Sequence, residues 1–392
     1  MTATSTAAVP CKIDAQARSI ELKGELRTAT VTDFPQFLEM ESEWNGLAAR
    51  SGVAHPFLGH SWVRSWWESF GDGRQLHIVA VENGRELAGL APLMLSNEKI
   101  YGIPVRVLGS VYNDHTPRVD FLAAHDREAV AEAVWNHVWD ARDTWDVVKL
   151  CQFEQDSPTL EAVTRLARQN GCHVGIWPSN SSPYLEIEGS FEQLLASRPR
   201  GMRANIRRRL KRLEEIGASV EFERVTNPDD LDCALADAFR MEASTWKGSE
   251  GTAIVCQEDT SRFYAAVARR AMEDGTLYFT FLRQGDRRIA FDLSLIYNER
   301  LFKLKPGYVQ DLHACSPGQQ LTVRTIRDAF ERGLKEVDFL GSADEWKLEW
   351  TKDVRRNVWV FIFKSNVFGS LLHLAKFRIA PRIAEWRRSG QI

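Results

Sequence analysis

From residue 26 onward the chain alternates short apolar runs of period two with longer runs of period three to four. Leu26 to Val31 reads as a strand. Asp33 caps a helical run to about Arg50 that places Phe34, Phe37, Leu38, Trp44 and Leu47 on one face. A second helix, Ser61 to Phe70, carries Trp62, Trp66 and Trp67. Leu76 to Val81 and Glu86 to Leu95 read as strands joined by the hairpin turn Asn83-Gly84. Short strands at Val105–Leu108 and Val119–Leu122 follow, then a helix from Arg127 to Arg142. Trp145 to Phe153 is a continuous apolar stretch, as expected of a buried strand. The helix Pro158–Asn170 ends at Gly171, and strands at His173–Trp177 and Tyr184–Ile187 close this half.

The second half repeats the order. Val220–Val225 is a strand, and Asp229–Trp246 and Thr260–Asp274 are helices. Leu277–Arg283, Arg288–Tyr297 and Arg300–Tyr308 form a meander with turns at Gly285 and Asn298. A helix from Gln319 to Arg332, a strand Val337–Leu340, a short helix Asp344–Trp350 and a strand Asn357–Phe363 complete it. Both halves fit an α+β sandwich, and the repeat is one of topology, since residue identity between them is slight. The expected layout is a disordered N-terminus over 1–24, a first unit over 25–190, a basic bridging helix over 191–218, a second unit over 219–365 and an amphipathic tail over 366–392. The two units are expected to meet at an interface between separate sheets.

Three features add chemistry. Arg198–Glu215 holds eight Arg or Lys residues, while Met202, Ile206, Leu210 and Leu213 form one apolar stripe. It reads as a docked helix with a basic outer face, suited to an anionic partner or simply to solvent. Second, the turn Ser316-Pro317-Gly318 follows a strand and opens a helix, which gathers free N–H groups and the positive end of the dipole. Gln319 and Gln320 continue that turn into the helix. Third, Asp292 interrupts the apolar strand Ile289–Leu295, the place for a carboxylate base of raised pKa or for an outward-facing strand residue. Asp311 and His313 lie beside the turn as proton relays, and Lys305 and Lys347 as cations for a charged acceptor or donor.

Composition sets bounds. At 392 residues, 44% hydrophobic and 26% charged, the chain is ordinary for a soluble globular protein of two units. A net charge of −3 argues against wholesale nucleic-acid binding. The six cysteines are scattered, with no metal ribbon or redox pair, and read as buried thiols in a reducing compartment. No signal peptide and no membrane span are expected, so the reading is cytoplasmic.

Taken together, several stretches resemble the GNAT (acyl-CoA N-acyltransferase) fold in tandem, as in the FemAB-like and cellulose-biosynthesis-associated (CelD-like) acetyltransferase group. They are Met202-Arg203-Ala204-Asn205-Ile206-Arg207-Arg208; Glu242 with Trp246-Lys247-Gly248 and Gly251-Thr252-Ala253; Ser316-Pro317-Gly318; Asp338-Phe339-Leu340 with Trp346-Lys347; and, in the first half, Trp62 with Trp66-Trp67 and Gly89-Leu90-Ala91-Pro92-Leu93. The resemblance implies two tandem GNAT-like domains with mixed sheets flanked by helices. It implies acyl transfer from an acyl-CoA, acetyl-CoA included, to an amine or hydroxyl, with envelope or exopolysaccharide acceptors in view. Its Fem branch implies aminoacyl-tRNA as the donor. No metal is implied. On this reading Ser316, Pro317, Gly318, Gln319 and Gln320 hold the donor phosphates. Asp292, Asp311 and His313 are the catalytic candidates. Lys305, Lys347, Glu242, Arg207 and Arg208 contact substrate. The usual pyrophosphate loop, Arg/Gln-x-x-Gly-x-Gly/Ala, keeps only its central Gly318 here; Cys315 and Gln320 stand at its ends. That departure leaves a non-catalytic scaffold as a further alternative. The matching connection in the first half, Gly109 to Pro117, has no such loop, so the first unit is expected to shape the acceptor side without a donor of its own.

Overall fold

The computed structural model describes residues 26–245, 251 and 253–382. The expected disorder of residues 1–24 and the residues Trp246, Lys247, Gly248 and Thr252 lie outside the described residues. In chain order the strands are β1 (Leu26–Val31), β2 (Gln75–Asn83), β3 (Glu86–Ile100), β4 (Ile103–Ser110), β5 (Leu122–Ala123), β6 (Val147–Glu154), β7 (His173–Glu186), β8 (Val220–Val225), β9 (Leu277–Gln284), β10 (Arg287–Tyr297), β11 (Arg300–Tyr308), β12 (Glu336–Asp338) and β13 (Val354–Phe363). The helices are α1 (Phe34–Glu39), α2 (Glu41–Arg50), α3 (His60–Phe70), α4 (Arg127–Asp140), α5 (Pro158–Gln169), α6 (Phe191–Ser197), α7 (Arg200–Ile216), α8 (Leu231–Ala243), α9 (Glu258–Glu273), α10 (Pro317–Glu331), α11 (Glu345–Leu348) and α12 (Val367–Leu374).

The alternating pattern forms mixed sheets flanked by helices. In each half a meander of antiparallel strands leads into one parallel pair, β4 with β6 and β11 with β12. The two halves do not keep separate sheets, which corrects that expectation. All but the short β5 run in one succession, β1-β2-β3-β4-β6-β13-β7-β12-β11-β10-β9-β8.

Two departures from the expected elements cause this. The strands expected at His173–Trp177 and Tyr184–Ile187 are one long strand, β7, running through Pro178 and Pro183. Pro178 lies opposite Val358 at a register shift, where a missing N–H costs little. The first part of β7 pairs with β13, and Tyr184–Glu186 then pairs with β12 of the second half. The last strand, β13, belongs by sequence to the second half but inserts between β6 and β7 of the first.

Side chains reinforce the seam. Arg118, from the first half, donates to Asp338 on β12 at 3.0 Å and pairs with Glu154 at 3.1 Å. Arg355 on β13 donates to Asp338 at 3.2 Å and to Glu336 at 2.9 Å. Arg118, Asp338 and Glu336 are buried, so these charges depend on one another and on the Arg355, Arg300 and Leu340 N–H groups beside them.

The stripe read on α7 is the face that docks: Met202, Ile206 and Leu213 are buried. The helix seats on the second unit, where Gln320 Nε2 donates to the Ile206 carbonyl at 3.0 Å. α12 and the π-helical turn after it (Ala375–Ile379) pack on β7 and β13. The Phe377 ring lies beside Phe361, and a Cβ at Gly175 would meet it at 2.2 Å. The tail thus packs on one strand from each half of the sequence. Cys151, Cys172 and Cys315 are buried thiols as read, whereas Cys233 and Cys256 are exposed.

Candidate functional site

The site follows from how β11 leaves its neighbour. β11 and β12 pair in parallel only over Arg300–Phe302 and Glu336–Asp338. On the other side of β11, Ser294 faces Lys303 while Leu293 faces Lys305, so Leu304 is the extra residue of a bulge. A bulge bends its strand and re-aims the residues beyond it. Past this bulge the two strands part, and a cavity of about 460 Å³ opens at the parting. Its walls are the Pro306–Tyr308 end of β11, the first turn of α10, α7 and α11.

The α10 turn is built for close approach. Ser316 takes a left-handed backbone at φ 47°, and Pro317 occupies the first helical position, where its missing N–H is no loss. Gly318 packs on Tyr308: a Cβ there would sit 3.3 Å from the ring. The amides of Gln319 and Gln320 already donate to the Ser316 carbonyl, at 3.0 and 3.2 Å. The expected cluster of free amides therefore reduces to the N–H of Gly318, set at the positive end of a fifteen-residue helix.

Five of the sequence candidates line this cavity: Glu242, His313, Ser316, Gly318 and Gln319. Glu242 is buried at the end of α8 and accepts from the Ile254 N–H at 2.8 Å, so it also holds the loop after α8. His313 faces Tyr308 at 6.4 Å between ring centres. Gln319 accepts from Arg209 at 2.9 Å and donates to Glu349 at 3.2 Å, a polar chain joining α7, α10 and α11 across the cavity.

The others stand elsewhere. Asp292, expected on a half-buried strand as a base, is fully buried and paired with Lys303, and Ser294 donates to it at 2.9 Å. It is a core ion pair. Asp311 is exposed and held by Arg287 at 2.8 Å, which keeps its carboxyl below the usual range; it lies on another surface hollow. Lys347 is buried. It donates to the carbonyls of Leu340 at 2.9 Å and Ser342 at 2.8 Å and pairs with Asp344 at 2.9 Å, so it locks the turn after β12. Arg207 and Arg208 point outward on α7, where Arg208 donates to Asn205 at 2.8 Å. Pro317 is buried, and Gln320 is turned inward to α7. Lys305 lies over the Tyr264 ring at 5.1 Å, on a different cavity between the units.

Sequence reasoning missed Arg209, Asn205 and Met202. They sit at i, i+3 and i+7 and form the α7 face that lines the cavity. The helical spacing would have paired Arg209 with the apolar stripe, but a run of three arginines hides which one turns inward. Among the described residues no cluster of His, Cys, Asp or Glu is placed to hold a metal, and no helix is long and apolar enough to cross a membrane.

A sequence profile of the acetyltransferase (GNAT) domain matches residues 200–348, from the start of α7 to the end of α11. Among solved structures the chain is similar to FemX, at 13% identity, covering 88% of this chain and 100% of that one with a TM-score of 0.57. It is similar to a conserved protein of unknown function from Bacteroides thetaiotaomicron VPI-5482, at 10% identity over 86% of this chain and 100% of that one, TM-score 0.55. A third is the C-terminal domain (DUF2156) of a putative lysylphosphatidylglycerol synthetase from Agrobacterium fabrum, at 12% identity over 87% and 96%, TM-score 0.52. No curated protein sequence matches the chain. At these identities the structural likeness speaks to fold alone.

Proposed function

We propose that this chain, built on the GNAT acyltransferase fold, transfers an acyl group from an acyl-CoA to an amine or hydroxyl, with the donor in the cavity at the start of α10. The observation that carries this reading is the parting of β11 and β12 where α10 begins. It sets an anion-favouring helix end beside a gap between strands, and a thioester can lie along that gap. The Gly318 N–H and the Arg209 guanidinium face the donor phosphates. The bulge residue Leu304 offers its N–H to the developing oxyanion, worth a few kcal/mol in such sites. Beyond these contacts the donor cavity supplies positioning, because direct attack on a thioester requires no covalent help from the protein.

The test is a melting screen with acetyl-CoA and longer acyl-CoA thioesters. A ligand at ~100 times its Kd adds roughly 2.7 kcal/mol of stability. Gly318→Trp is expected to abolish the shift, since its side chain must enter the space that a phosphate would occupy. An equal shift in wild type and variant would misplace the donor.

A second reading, transfer from an aminoacyl-tRNA, is favoured by one observation. Arg207, Arg208, Lys211 and Arg212 lie on α7 outside the docked stripe, on the helix whose Arg209 enters the cavity. Salt-sensitive retention of charged tRNA, absent for acyl-CoA, would select it. The acceptor belongs with small molecules or saccharides, including those of envelope or exopolysaccharide synthesis.

A further inference from the structure

A second cavity, of about 260 Å³, lies between the two units on the opposite flank of the parted strands. Leu304, Lys305 and Leu340 give it one wall from the second unit, and Thr116 and Gln152 another from the first. Four features mark it as built for a ligand. The Gln152 Oε1 and Thr116 Oγ1 atoms are buried without a hydrogen-bond partner, a costly condition unless something else satisfies them. Both residues are at most 4% exposed. Gln152 and Leu340 both hold left-handed backbones, at φ 55° and 52°, which cost of order 1–3 kcal/mol each in residues other than glycine. The Leu340 turn is clamped from both sides: its N–H donates to Asp338 at 2.9 Å and its carbonyl accepts from Lys347.

The fourth feature is a hydrogen-bonded chain at the wall. Thr260 donates to Gln257 at 3.0 Å, so its oxygen accepts from His115 Nε2 at 3.2 Å. That fixes His115 Nδ1 as an acceptor, and the Tyr264 hydroxyl donates to it at 3.2 Å. The Tyr264 oxygen keeps lone pairs, and both rings line the cavity.

Resting on the acyl-transfer reading above, we propose that this cavity is the acceptor site. It takes a small amino or hydroxyl compound bearing further hydroxyls, and the attacking group loses its proton through Tyr264 to His115. The ligand class follows from the orphaned atoms. The Gln152 oxygen only accepts, so the ligand must donate N–H or O–H, and the volume suits a group the size of one sugar ring. In the transfer the nucleophile forms its bond to the thioester carbonyl carbon as the C–S bond breaks. Its proton passes to the Tyr264 oxygen while the Tyr264 proton moves to His115 Nδ1. The thiolate leaves with the sulfur electron pair, and His115 later releases its proton to solvent. Burial, with the nearby Lys305 charge, lowers the His115 pKa to about 4, against smaller opposing effects of Asp114 and Glu242. Its imidazole is therefore neutral and ready to accept near neutral pH, while burial holds the Tyr264 hydroxyl protonated.

The experiment uses the full chain with glucosamine and glucose as probes, by calorimetry without donor and by turnover with acetyl-CoA. Glucosamine binding is expected in wild type and weakened about tenfold in Gln152→Leu, the loss of roughly one hydrogen bond. Acetyl-CoA binding is expected to be unchanged in that variant. Glucose binding as well as glucosamine extends the class to hydroxyl acceptors. Tyr264→Phe is expected to keep glucosamine affinity and lower kcat about a hundredfold. His115→Gln is expected to do the same, and the wild-type kcat/KM, referred to the unprotonated fraction of glucosamine, to fall only as pH drops through about 4. If neither probe binds wild type, or if Gln152→Leu binds them equally well, the acceptor site is overturned. Wild-type kcat in Tyr264→Phe overturns the proton route. Probe binding that depends on Gln152, in a protein that binds no CoA thioester, would instead sink the donor reading and leave this site standing.

Discussion

Two buried carboxylates show how environment separates a structural charge from a catalytic one. Asp292 is sealed with Ser294 of its own strand and Lys303 of the next, and Asp338 with Arg118 and Arg355 at the seam. Removing one partner of such a pair strands the other charge in a poorly solvating interior. Asp338→Ala is thus expected to cost ~3–5 kcal/mol in urea unfolding, against under ~0.5 kcal/mol for the exposed Asp311→Ala. Asp292→Ala should cost a similar ~3–5 kcal/mol, and Asp292→Leu with Lys303→Met should recover most of it. If Asp292→Ala unfolds like wild type, the pair is dispensable and the carboxylate is again a candidate base. Asp338 and Lys347, read from sequence as parts of one motif, act on the same residue, since both hold the left-handed Leu340 at the cavity rim.

At the scale of elements, α7 carries two jobs on two faces. One stripe docks on the second unit, and Asn205 and Arg209 line the donor cavity beside it. Arg207, Arg208 and Lys211 remain outside, and crowded like charges repel by a few tenths of a kcal/mol per pair. Charge reversal at Arg207 and Arg208 is expected to raise the KM of a phosphorylated acceptor or charged tRNA and to flatten its salt dependence. Stability should change by less than ~0.5 kcal/mol. Equal KM values and equal salt slopes for wild type and variant would leave that face as plain solvated surface. Here the sequence was legible for the stripe and silent on which arginine turns inward. Periodicity fixes a docking face, but the cavity beside it is made by β11, α10 and α11, which lie a hundred residues away in the chain.

For the whole molecule, many histidines are held neutral by burial. His77 and His115 both have pKa values lowered to about 4, and those of His55, His60, His137 and His373 are lowered too. Each such group binds its proton more readily in the unfolded chain. Its contribution to stability is therefore intact above the unfolded pKa of about 6.5 and is lost as pH falls from there toward about 4. His77 and His115 should each remove of order 2–3 kcal/mol over that window. Urea unfolding at pH 7 and pH 4.5 measures the sum, and equal midpoints would mean the rings are protonated in the fold. The single strand succession predicts one cooperative transition for both units, since β7 and β13 leave neither sheet whole without the other half of the chain.

By itself the sequence determined the elements, their repeated order, the docked stripe of α7 and the turn that opens α10. These are local: periodicity, caps and glycine or proline at fixed positions act within one turn or one strand. Only the tertiary structure decided that His173–Glu186 is one strand through two prolines, and that β13 crosses into the first sheet. It also decided which charged residues are partners in the core and which face a cavity. Asp292 and Asp311 look alike as candidates along the chain. One is met by a lysine on the adjacent strand and the other by an arginine at the surface. Such pairings, like the meeting of His115 with Tyr264 from opposite halves, depend on contacts between residues far apart in sequence, which no local pattern encodes.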